Sequence, residues 1–332
     1  MKKLAALLFV PALALATIGC GDSGTTVQPD GVKPTPDGGT DTTAPPAQLD
    51  CAANTCSDFV AATLSLPADQ NQASELGYDY DKDGLPDNAL GGILSGLAGV
   101  LQGVDLQANL NEVFNEGSTI ILMKVQANDF TNETNAAAQA FLGEKVDCCP
   151  TDKDPTACAA ESKTTCFGGS FSFKVDAASA GTKAIFGGTI TGGALSLGPS
   201  SLSLKLPIAG AEINLVLQQA RIQADAISAT SITGGKITGG ISQQDLNTGV
   251  IPAIAGLVDG LVKDPNTSQS TKDQILNLFD TDKDGTVTTQ EVADNSLIQT
   301  FLSGDVDVDG DGNLDLTLGV GFTGVAATIT GL

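Results

Sequence analysis

The sequence predicts an α+β fold in which an antiparallel β-sheet or sandwich packs against helices. Strand-like alternation of apolar and polar residues dominates three ranges, 118–127, 171–241 and 314–330. Apolar residues recur at helical spacing in other ranges, most clearly over 90–104 and 246–261. Glycine is abundant, with 39 residues, whereas aromatic residues make up 4% and tryptophan is absent. This composition is typical of strands joined by tight turns.

Residues 1–19 are predicted to be an export signal. Two lysines precede an apolar run over 4–18, which is too short to span a bilayer comfortably. The run ends in Gly19-Cys20, which resembles the lipobox of bacterial lipoproteins, although Thr17 stands where that motif usually has leucine. The resemblance implies an exported protein, acylated at Cys20 and anchored by lipid to the bacterial cell envelope, at the outer membrane. No other segment of the sequence is apolar for long enough to cross a membrane.

The seven cysteines support this interpretation of the N-terminus. Ordinary cleavage after Ala14 or Ala16 is the alternative, and it leaves Cys20 as a free thiol. Acylation of Cys20 instead leaves six cysteines, an even number that suits three disulfides in an oxidising compartment. Cys51 and Cys56 are close enough in sequence to pair locally. The other four are Cys148, Cys149, Cys158 and Cys166. Disulfides are favoured over a zinc site for these four, and the sequence leaves their three possible pairings open.

Composition divides the chain into four parts. The signal is followed over 20–50 by residues dense in Pro, Gly, Thr and Asp, which predict a disordered tether because they can bury little apolar surface. An α+β domain is expected over 51–241, with a disulfide-stapled insertion at 143–170. The remainder, 242–332, is expected to be helical, to end in a strand and to pack on the same domain.

Local signals predict several helix ends. Asp105 is a predicted N-cap, and Gly117 is predicted to end the same short helix. Ser242 to Asp245 forms a predicted capping box for a long helix, with Pro252 in its first turn or at a kink.

The chain has 16 Lys and Arg residues against 39 Asp and Glu residues, a formal net charge of −23. This excess argues against nucleic acid as a partner, because nucleic acid binds basic surfaces, and it favours cations. The sequence contains no histidine, which removes Ser-His-Asp and Cys-His catalysis and histidine-ligated zinc. A glycosidase with two carboxylates stays possible in principle. The conspicuous acidic residues are, however, grouped in three short loops, so the protein is predicted not to be an enzyme.

One acidic loop, FDTDKDGTVTTQE over 279–291, has oxygen-bearing side chains at regular spacing. Counting Asp280 as position one, the residues at positions one, three, five, seven, nine and twelve are Asp280, Asp282, Asp284, Thr286, Thr288 and Glu291. Gly285 at position six allows the sharp turn, because glycine adopts positive φ at little cost. The loop resembles an EF-hand calcium loop at every ligand position. This resemblance implies Ca²⁺ bound by these six residues, with Thr286 binding through its carbonyl and Glu291 through two oxygens.

Two shorter acidic loops, DYDKDGLPDN and DVDGDGNLDL, repeat part of this pattern. Their residues at positions one, three, five, seven and nine are Asp79, Asp81, Asp83, Leu85 and Asp87 in the first, and Asp307, Asp309, Asp311, Asn313 and Asp315 in the second. Both have leucine at position twelve, and both resemble the compact D-x-D-x-D-G-x-x-D loops of thrombospondin-type and integrin-propeller calcium sites. We refer to 79–87, 280–291 and 307–315 as loop 1, loop 2 and loop 3. Val287 and Leu314 occupy equivalent positions, which predicts paired loops and an EF-hand-like calcium module at the C-terminus.

Together these features predict a lipid-anchored envelope protein with a structural, adhesive or interaction role, in which Ca²⁺ mainly stabilises the fold. One alternative is a calcium-dependent module that binds a glycan or another protein; it predicts that EDTA abolishes ligand binding while folding largely survives. The other alternative is a carrier that holds an apolar ligand inside a sheet over 171–241, and it predicts a long apolar cavity.

Overall fold

A closed antiparallel β-barrel of eight strands organises the described part of the chain. The computed structural model describes residues 49–100, 105–151, 154–177, 179, 184–208, 211–265 and 267–332. The predicted signal, the acylation site Cys20 and nearly all of the predicted tether lie outside these residues.

The strands differ widely in length, from 3 to 17 residues. In chain order they are β1 Cys56–Ser65, β2 Ile121–Gln126, β3 Asn132–Leu142, β4 Ser172–Lys174, β5 Ile185–Thr191, β6 Ala194–Ile208, β7 Ala211–Ile227, β8 Ser231–Ile241, β9 Leu316–Ala326 and β10 Thr328–Thr330. The barrel has the order β1-β2-β3-β5-β6-β7-β8-β9, and β9 closes it by pairing with β1. The short strands β4 and β10 form a separate parallel pair outside the barrel.

The predicted fold class, an α+β fold with an antiparallel sheet or sandwich, packed helices and a C-terminal calcium module, is therefore wrong. The three ranges predicted to be strands do contain strands. Closure of the barrel, however, pairs β1 with β9 and so joins residues such as Thr63 and Thr323, which are 260 positions apart. Alternation of side chains shows which face of a strand is buried and says nothing about which strand becomes its neighbour. The alanine-rich strand β3 also has few of the β-branched and aromatic residues that mark strands in a sequence, only Thr134 and Phe141.

Helices connect and cover the barrel strands. They are α1 Gln70–Leu76, α2 Ala89–Val100, α3 Leu106–Glu116, α4 Pro155–Ser162, α5 Gln243–Asp245, α6 Ile251–Lys263, α7 Gln269–Phe279, α8 Thr289–Asp294 and α9 Ser296–Phe301. A π-helical segment, Leu246–Val250, joins α5 to α6. By length and composition alone, the continuous helix from Gln243 to Lys263 is long and apolar enough to cross a membrane, and 22% of its most apolar window is buried. The expectation that no segment after the N-terminal run is apolar for long enough to cross a membrane therefore does not hold for this helix.

The predicted helix ends are present. The side chain of Asp105 accepts a hydrogen bond from the N–H of Ala108, and Gly117 ends α3 with a φ of 79°. Ser242 caps α5 by accepting from the N–H of Asp245. These boundaries depend on residues that are neighbours in sequence, which is why local signals are sufficient to find them.

Side chains fill the interior of the barrel. Phe59, Leu202, Ile222 and Phe322 border a cavity of about 30 Å³ between them. A space of that size holds about two water molecules. The interior defined by the described residues is therefore a packed core rather than a ligand chamber.

A second apolar cluster covers the outer face of β1, β2 and β3. Val60, Leu122 and Phe141 are in register across these strands, and all three are buried. The β4–β10 pair and the disulfide between Cys148 and Cys166 pack over them. This wall of the barrel is thus buried on both sides.

Three disulfides settle the pairings that the sequence left open. They join Cys51 with Cys56, Cys148 with Cys166, and Cys149 with Cys158. Cys148 and Cys166 are completely buried in the second apolar cluster, so their bridge ties the 143–170 segment to the barrel wall.

Replacing both Cys148 and Cys166 by alanine should lower the free energy of unfolding by about 3 kcal/mol, because the lost bridge closes a loop of 18 residues. The same replacement of Cys51 and Cys56 should cost about 2 kcal/mol, because that loop spans only 5 residues. Urea unfolding of both double variants measures the difference. A larger loss from the Cys51 and Cys56 pair would contradict this ranking by loop length.

Candidate metal centre

The three acidic loops share one backbone conformation, which is set by two residues with positive φ. These residues stand at positions four and six of each loop and are Lys82 (62°) and Gly84 (92°), Lys283 (62°) and Gly285 (86°), and Gly310 (78°) and Gly312 (91°). The glycine at position six was expected. The left-handed lysine at position four was not, because side chains other than glycine, asparagine and aspartate seldom adopt this conformation.

Backbone N–H groups orient the carboxylates in the same way in all three loops. The N–H at position six donates to the carboxylate at position one, at 3.0 Å in loop 1, 2.9 Å in loop 2 and 3.0 Å in loop 3. The N–H at position five donates to the carboxylate at position three, at 3.0, 3.1 and 3.1 Å. The N–H at position seven donates to the carboxylate at position five, at 2.7, 2.8 and 2.7 Å. The odd-numbered side chains are therefore held by the turn itself.

Carboxylate oxygens from three residues converge in each loop. One oxygen per residue lies within 4.8 Å of the others in three groups, which are Asp79, Asp81 and Asp87; Asp280, Asp282 and Glu291; and Asp307, Asp309 and Asp311. The remaining predicted carboxylate ligands, Asp83, Asp284 and Asp315, are not members of these closest groups. Nine of the twelve predicted carboxylates are thus brought together by the fold.

The predicted ligands without a carboxylate contribute less directly. Leu85 is 68% exposed, and its side chain has no oxygen atom. Only the carbonyl of Leu85 could therefore bind an ion. The side chains of Thr286 and Asn313 each donate a hydrogen bond to the aspartate at position five of their loop. Thr288 is the N-cap of α8, and its hydroxyl is hydrogen-bonded to Glu291. The Thr288 side chain therefore contributes to the N-cap of α8 more than to the loop centre.

In each loop, one carboxylate accepts a hydrogen bond from the N–H at position two, although the position of that carboxylate differs between the loops. Asp87 in loop 1 and Asp315 in loop 3, both at position nine, accept from the N–H at position two, at 2.7 and 3.1 Å. In loop 2, position nine is Thr288, and Glu291 accepts from the position-two N–H of Thr281 at 2.8 Å. The aspartates at position nine thus take the place that glutamate at position twelve has in loop 2.

The loops do not pair with each other as predicted. Loops 1 and 3 are closed by their own isolated β-bridges, Tyr78 with Asp87 and Val306 with Asp315. Val287 is buried, whereas Leu314 is 52% exposed, and the bridges of the described residues do not join the two. The predicted C-terminal module of paired loops is therefore wrong. Loop 3 leads directly into β9, which the barrel holds between β8 and β1, whereas loop 2 lies between α7 and α8.

Within the part of the chain that the structure describes, no lysine or arginine forms an ion pair with a loop carboxylate. The ion pairs between described residues include Lys124 with Asp58, Lys174 with Glu144, and Lys263 with Asp259. Burial raises the pKa of Asp87 and of Asp315; a hydrogen bond from a backbone N–H opposes this shift, and neighbouring carboxylates add to it. The Oδ1 atom of Asp79 is buried without a hydrogen-bond partner. A bound cation would offset each of these costs.

Glu291 is the most strongly held carboxylate of the three loops. It is 8% exposed. The backbone N–H and the hydroxyl of Thr288, with the N–H groups of Thr281 and Asp282, outweigh burial and lower the pKa of Glu291 to about 2. Its carboxylate is therefore ionised and fixed in place at neutral pH, as a calcium ligand must be.

A polar network that the sequence did not reveal joins the residues after loop 1 to those on either side of loop 3. The side chain of Asn88 is buried beside loop 1, donates to the carbonyl of Gly319 at 3.0 Å and accepts from its N–H at 2.7 Å. The hydroxyl of Thr317 accepts from the N–H of Ala89 at 3.0 Å and donates to Asp305 at 2.6 Å. Single asparagine and threonine residues carry no local signal for contacts this distant in sequence.

Aromatic contacts attach loop 1 to the barrel wall. The Tyr80 hydroxyl donates to Thr238 at 3.1 Å, and burial is the largest of the effects that raise the pKa of Tyr80 to about 12. The ring of Tyr78 lies 4.8 Å from that of Tyr80, and the Arg221 guanidinium stacks 4.4 Å above the Tyr78 ring. This arrangement is a cation–π contact on one side of loop 1.

No protein-family model matches the chain, and neither a curated protein nor a solved structure matches it significantly.

Proposed function

We propose that this chain is an exported, lipid-anchored envelope protein without catalytic activity, in which three Ca²⁺ ions stabilise a β-barrel scaffold used for a structural, adhesive or interaction role. The observation that carries this proposal is the convergence of carboxylate oxygens within 4.8 Å at three loops that have positive φ at the same two positions. Ca²⁺ is a hard cation that takes six to eight oxygen ligands, and carboxylates with backbone carbonyls are its usual donors in proteins.

The position of the loops supports a stabilising role for the ions. Loop 3 ends at Asp315, one residue before β9, the strand that closes the barrel. Loop 1 connects α1 to Asn88, whose side chain binds the backbone of β9. An ion in loop 3 would fix the segment that leads into β9. An ion in loop 1 would fix the segment next to Asn88, which binds the β9 backbone. Binding free energy at such positions contributes to folding free energy.

The envelope location is supported by two features. Gly19-Cys20 resembles a lipobox, and the six other cysteines form three disulfides, which persist in oxidising compartments. Sites in an environment rich in Ca²⁺ need affinities of only about 10⁻⁴ to 10⁻³ M.

The carrier alternative has no comparable support. An apolar ligand enclosed by the sheet would need a long cavity, and the space bordered by the described barrel residues is about 30 Å³. The closely packed interior instead favours a scaffold.

Glu291→Gln should remove or strongly weaken one of the three calcium sites. Glutamine can retain the capping box of α8, because glutamate and glutamine side chains both accept a hydrogen bond from the N–H of the N-cap residue. Glutamine cannot, however, offer two anionic oxygens to the ion. Isothermal titration calorimetry of the purified, disulfide-bonded protein should therefore show three sites in the unaltered chain and two in the variant.

Glu112→Gln provides the matched control, because Glu112 is exposed on α3 and belongs to no acidic loop. It should leave all three sites intact. If the unaltered chain binds no Ca²⁺ at millimolar concentration, the proposed function is wrong. If Glu291→Gln retains three unchanged sites, the ligand assignment in loop 2 is wrong.

A further inference from the structure

A groove of about 780 Å³ lies on the outside of the barrel beside α1. Its floor is a single row of residues that crosses six neighbouring strands, β1, β9, β8, β7, β6 and β5. The residues paired along this row are Ser65, Gly321, Lys236, Gln223, Ser196 and Thr189. Residues paired across antiparallel strands share a face, so the whole row lies on the outer surface. Small-molecule sites commonly have volumes of about 300–1,000 Å³.

The floor of the groove consists mainly of uncharged hydrogen-bonding groups. Hydroxyls of Ser65, Ser196 and Thr189 both donate and accept. Gln223, which is partly exposed, lines the groove with an amide side chain.

The charged groups at the groove are already in part engaged. Lys236 donates to the carbonyl of Gly77 at 2.9 Å, at the end of α1. Asp225 and Glu75 also line the groove, so basic and acidic groups lie close together. The chain as a whole carries a charge of −23, which repels anions. A neutral ligand therefore fits the groove better than an anionic one.

The rim of the groove depends on Gly234. Its φ is +58°, and a Cβ atom there would lie 2.1 Å from the Asp225 carboxylate. Gly234 lies in β8 where the register with β9 shifts, and this irregularity places Asp225 against the backbone at the groove. The positive φ favours glycine at position 234.

We propose that this groove binds a linear, uncharged oligosaccharide that lies along the row, across the strands. Neighbouring strands are about 4.8 Å apart. That distance is similar to the length of one sugar ring in an extended chain, so successive rings can present hydroxyls to successive strands. Sugar hydroxyls can exchange hydrogen bonds with the Gln223 amide and with the hydroxyls of Ser196 and Thr189. This inference does not depend on calcium binding.

The expected affinity is weak, in the millimolar range. Among the aromatic residues, Phe322 lines the groove, but it is only 7% exposed and offers little surface for stacking. Binding would depend on hydrogen bonds between the sugar and the protein, which replace hydrogen bonds that both make to water. Each such exchange contributes little net free energy.

The test is an NMR titration of the calcium-saturated protein with four neutral probes, cellohexaose, chitohexaose, maltohexaose and xylohexaose, and with one anionic probe, an oligogalacturonate. At least one neutral probe should bind at millimolar concentration, and the anionic probe should not. Ser196→Trp should block the row and weaken binding at least tenfold. Gln223→Leu should weaken it about tenfold by removing the polar amide from the groove floor.

Ser203→Trp is the matched control, because Ser203 is an exposed serine on the outer face of the same strand, well away from the groove. It should change the affinity less than twofold. Thermal melting and calcium titration of each variant verify that the fold is retained. Should Ser196→Trp fail to fold, Gln223→Leu alone decides. The proposal is overturned if no neutral probe binds, if the anionic probe binds equally well, or if the groove variants behave like Ser203→Trp. Because calcium binding is measured separately, either proposal can fail alone.

Discussion

Removal of calcium should destabilise this protein by several kcal/mol. A ligand present at 100 times its Kd stabilises the folded state by about 2.7 kcal/mol per site, so three such sites contribute about 8 kcal/mol. The physical origin is the crowding of unbalanced carboxylates in loops 1, 2 and 3, which is tolerable with a divalent ion and unfavourable without it. The effect should be large because loops 1 and 3 adjoin β9, the strand that closes the barrel.

Thermal melting in saturating Ca²⁺ and in EDTA measures this effect. The midpoint should fall clearly in EDTA and return when Ca²⁺ is restored. Mg²⁺ at the same concentration is the control for charge screening, because it prefers a smaller octahedral site and should restore little. The calcium-dependent part of the stability should also shrink in Glu291→Gln. Equal midpoints in Ca²⁺ and EDTA would rule out a stabilising role for the ion.

Asn88→Ala should lower the free energy of unfolding by about 4 kcal/mol, because several buried backbone groups lose a hydrogen bond at a cost of about 1–3 kcal/mol each. Asn88 is 6% exposed and makes four hydrogen bonds. It donates to the carbonyls of Ala73 and Gly319 at 2.9 and 3.0 Å. It accepts from the N–H groups of Gly91 and Gly319 at 3.0 and 2.7 Å. One side chain thus joins α1, α2 and β9.

Urea unfolding of Asn88→Ala measures this cost, with Asn71→Ala as the matched control. Asn71 is exposed on α1, and its replacement should change stability by less than about 0.5 kcal/mol. The loss at Asn88 should appear in Ca²⁺ and in EDTA alike, because Asn88 is not a predicted ligand. A loss below about 1 kcal/mol would show that water or a small backbone shift satisfies the exposed groups.

Local structure was predictable wherever it depends on neighbouring residues. Asp105, Gly117 and Ser242 mark helix ends correctly, because a cap bonds to the backbone two or three residues away. The carboxylates at positions one, three and five of each loop are likewise held by N–H groups two to five positions along the chain. The carboxylates predicted for each loop therefore include the residues that converge there.

Several features of the candidate centre could not be predicted. The exchange of roles between Glu291 and the aspartates at position nine depends on how each loop is closed, by a helix in loop 2 and by a β-bridge in loops 1 and 3. The contact of Asn88 with Gly319 joins residues 231 positions apart. No spacing rule extends over that distance.

The amino-acid sequence by itself determined the three acidic loops, the caps and most of the strands, because each arises from interactions within a few residues. Only the tertiary structure decided that the strands close into a barrel, that loops 1 and 3 meet at β9, and that six strands align one polar row on the outer surface. The physical reason is that strand pairing uses backbone hydrogen bonds, which are the same for every residue. The choice of neighbour therefore follows from packing of the whole chain.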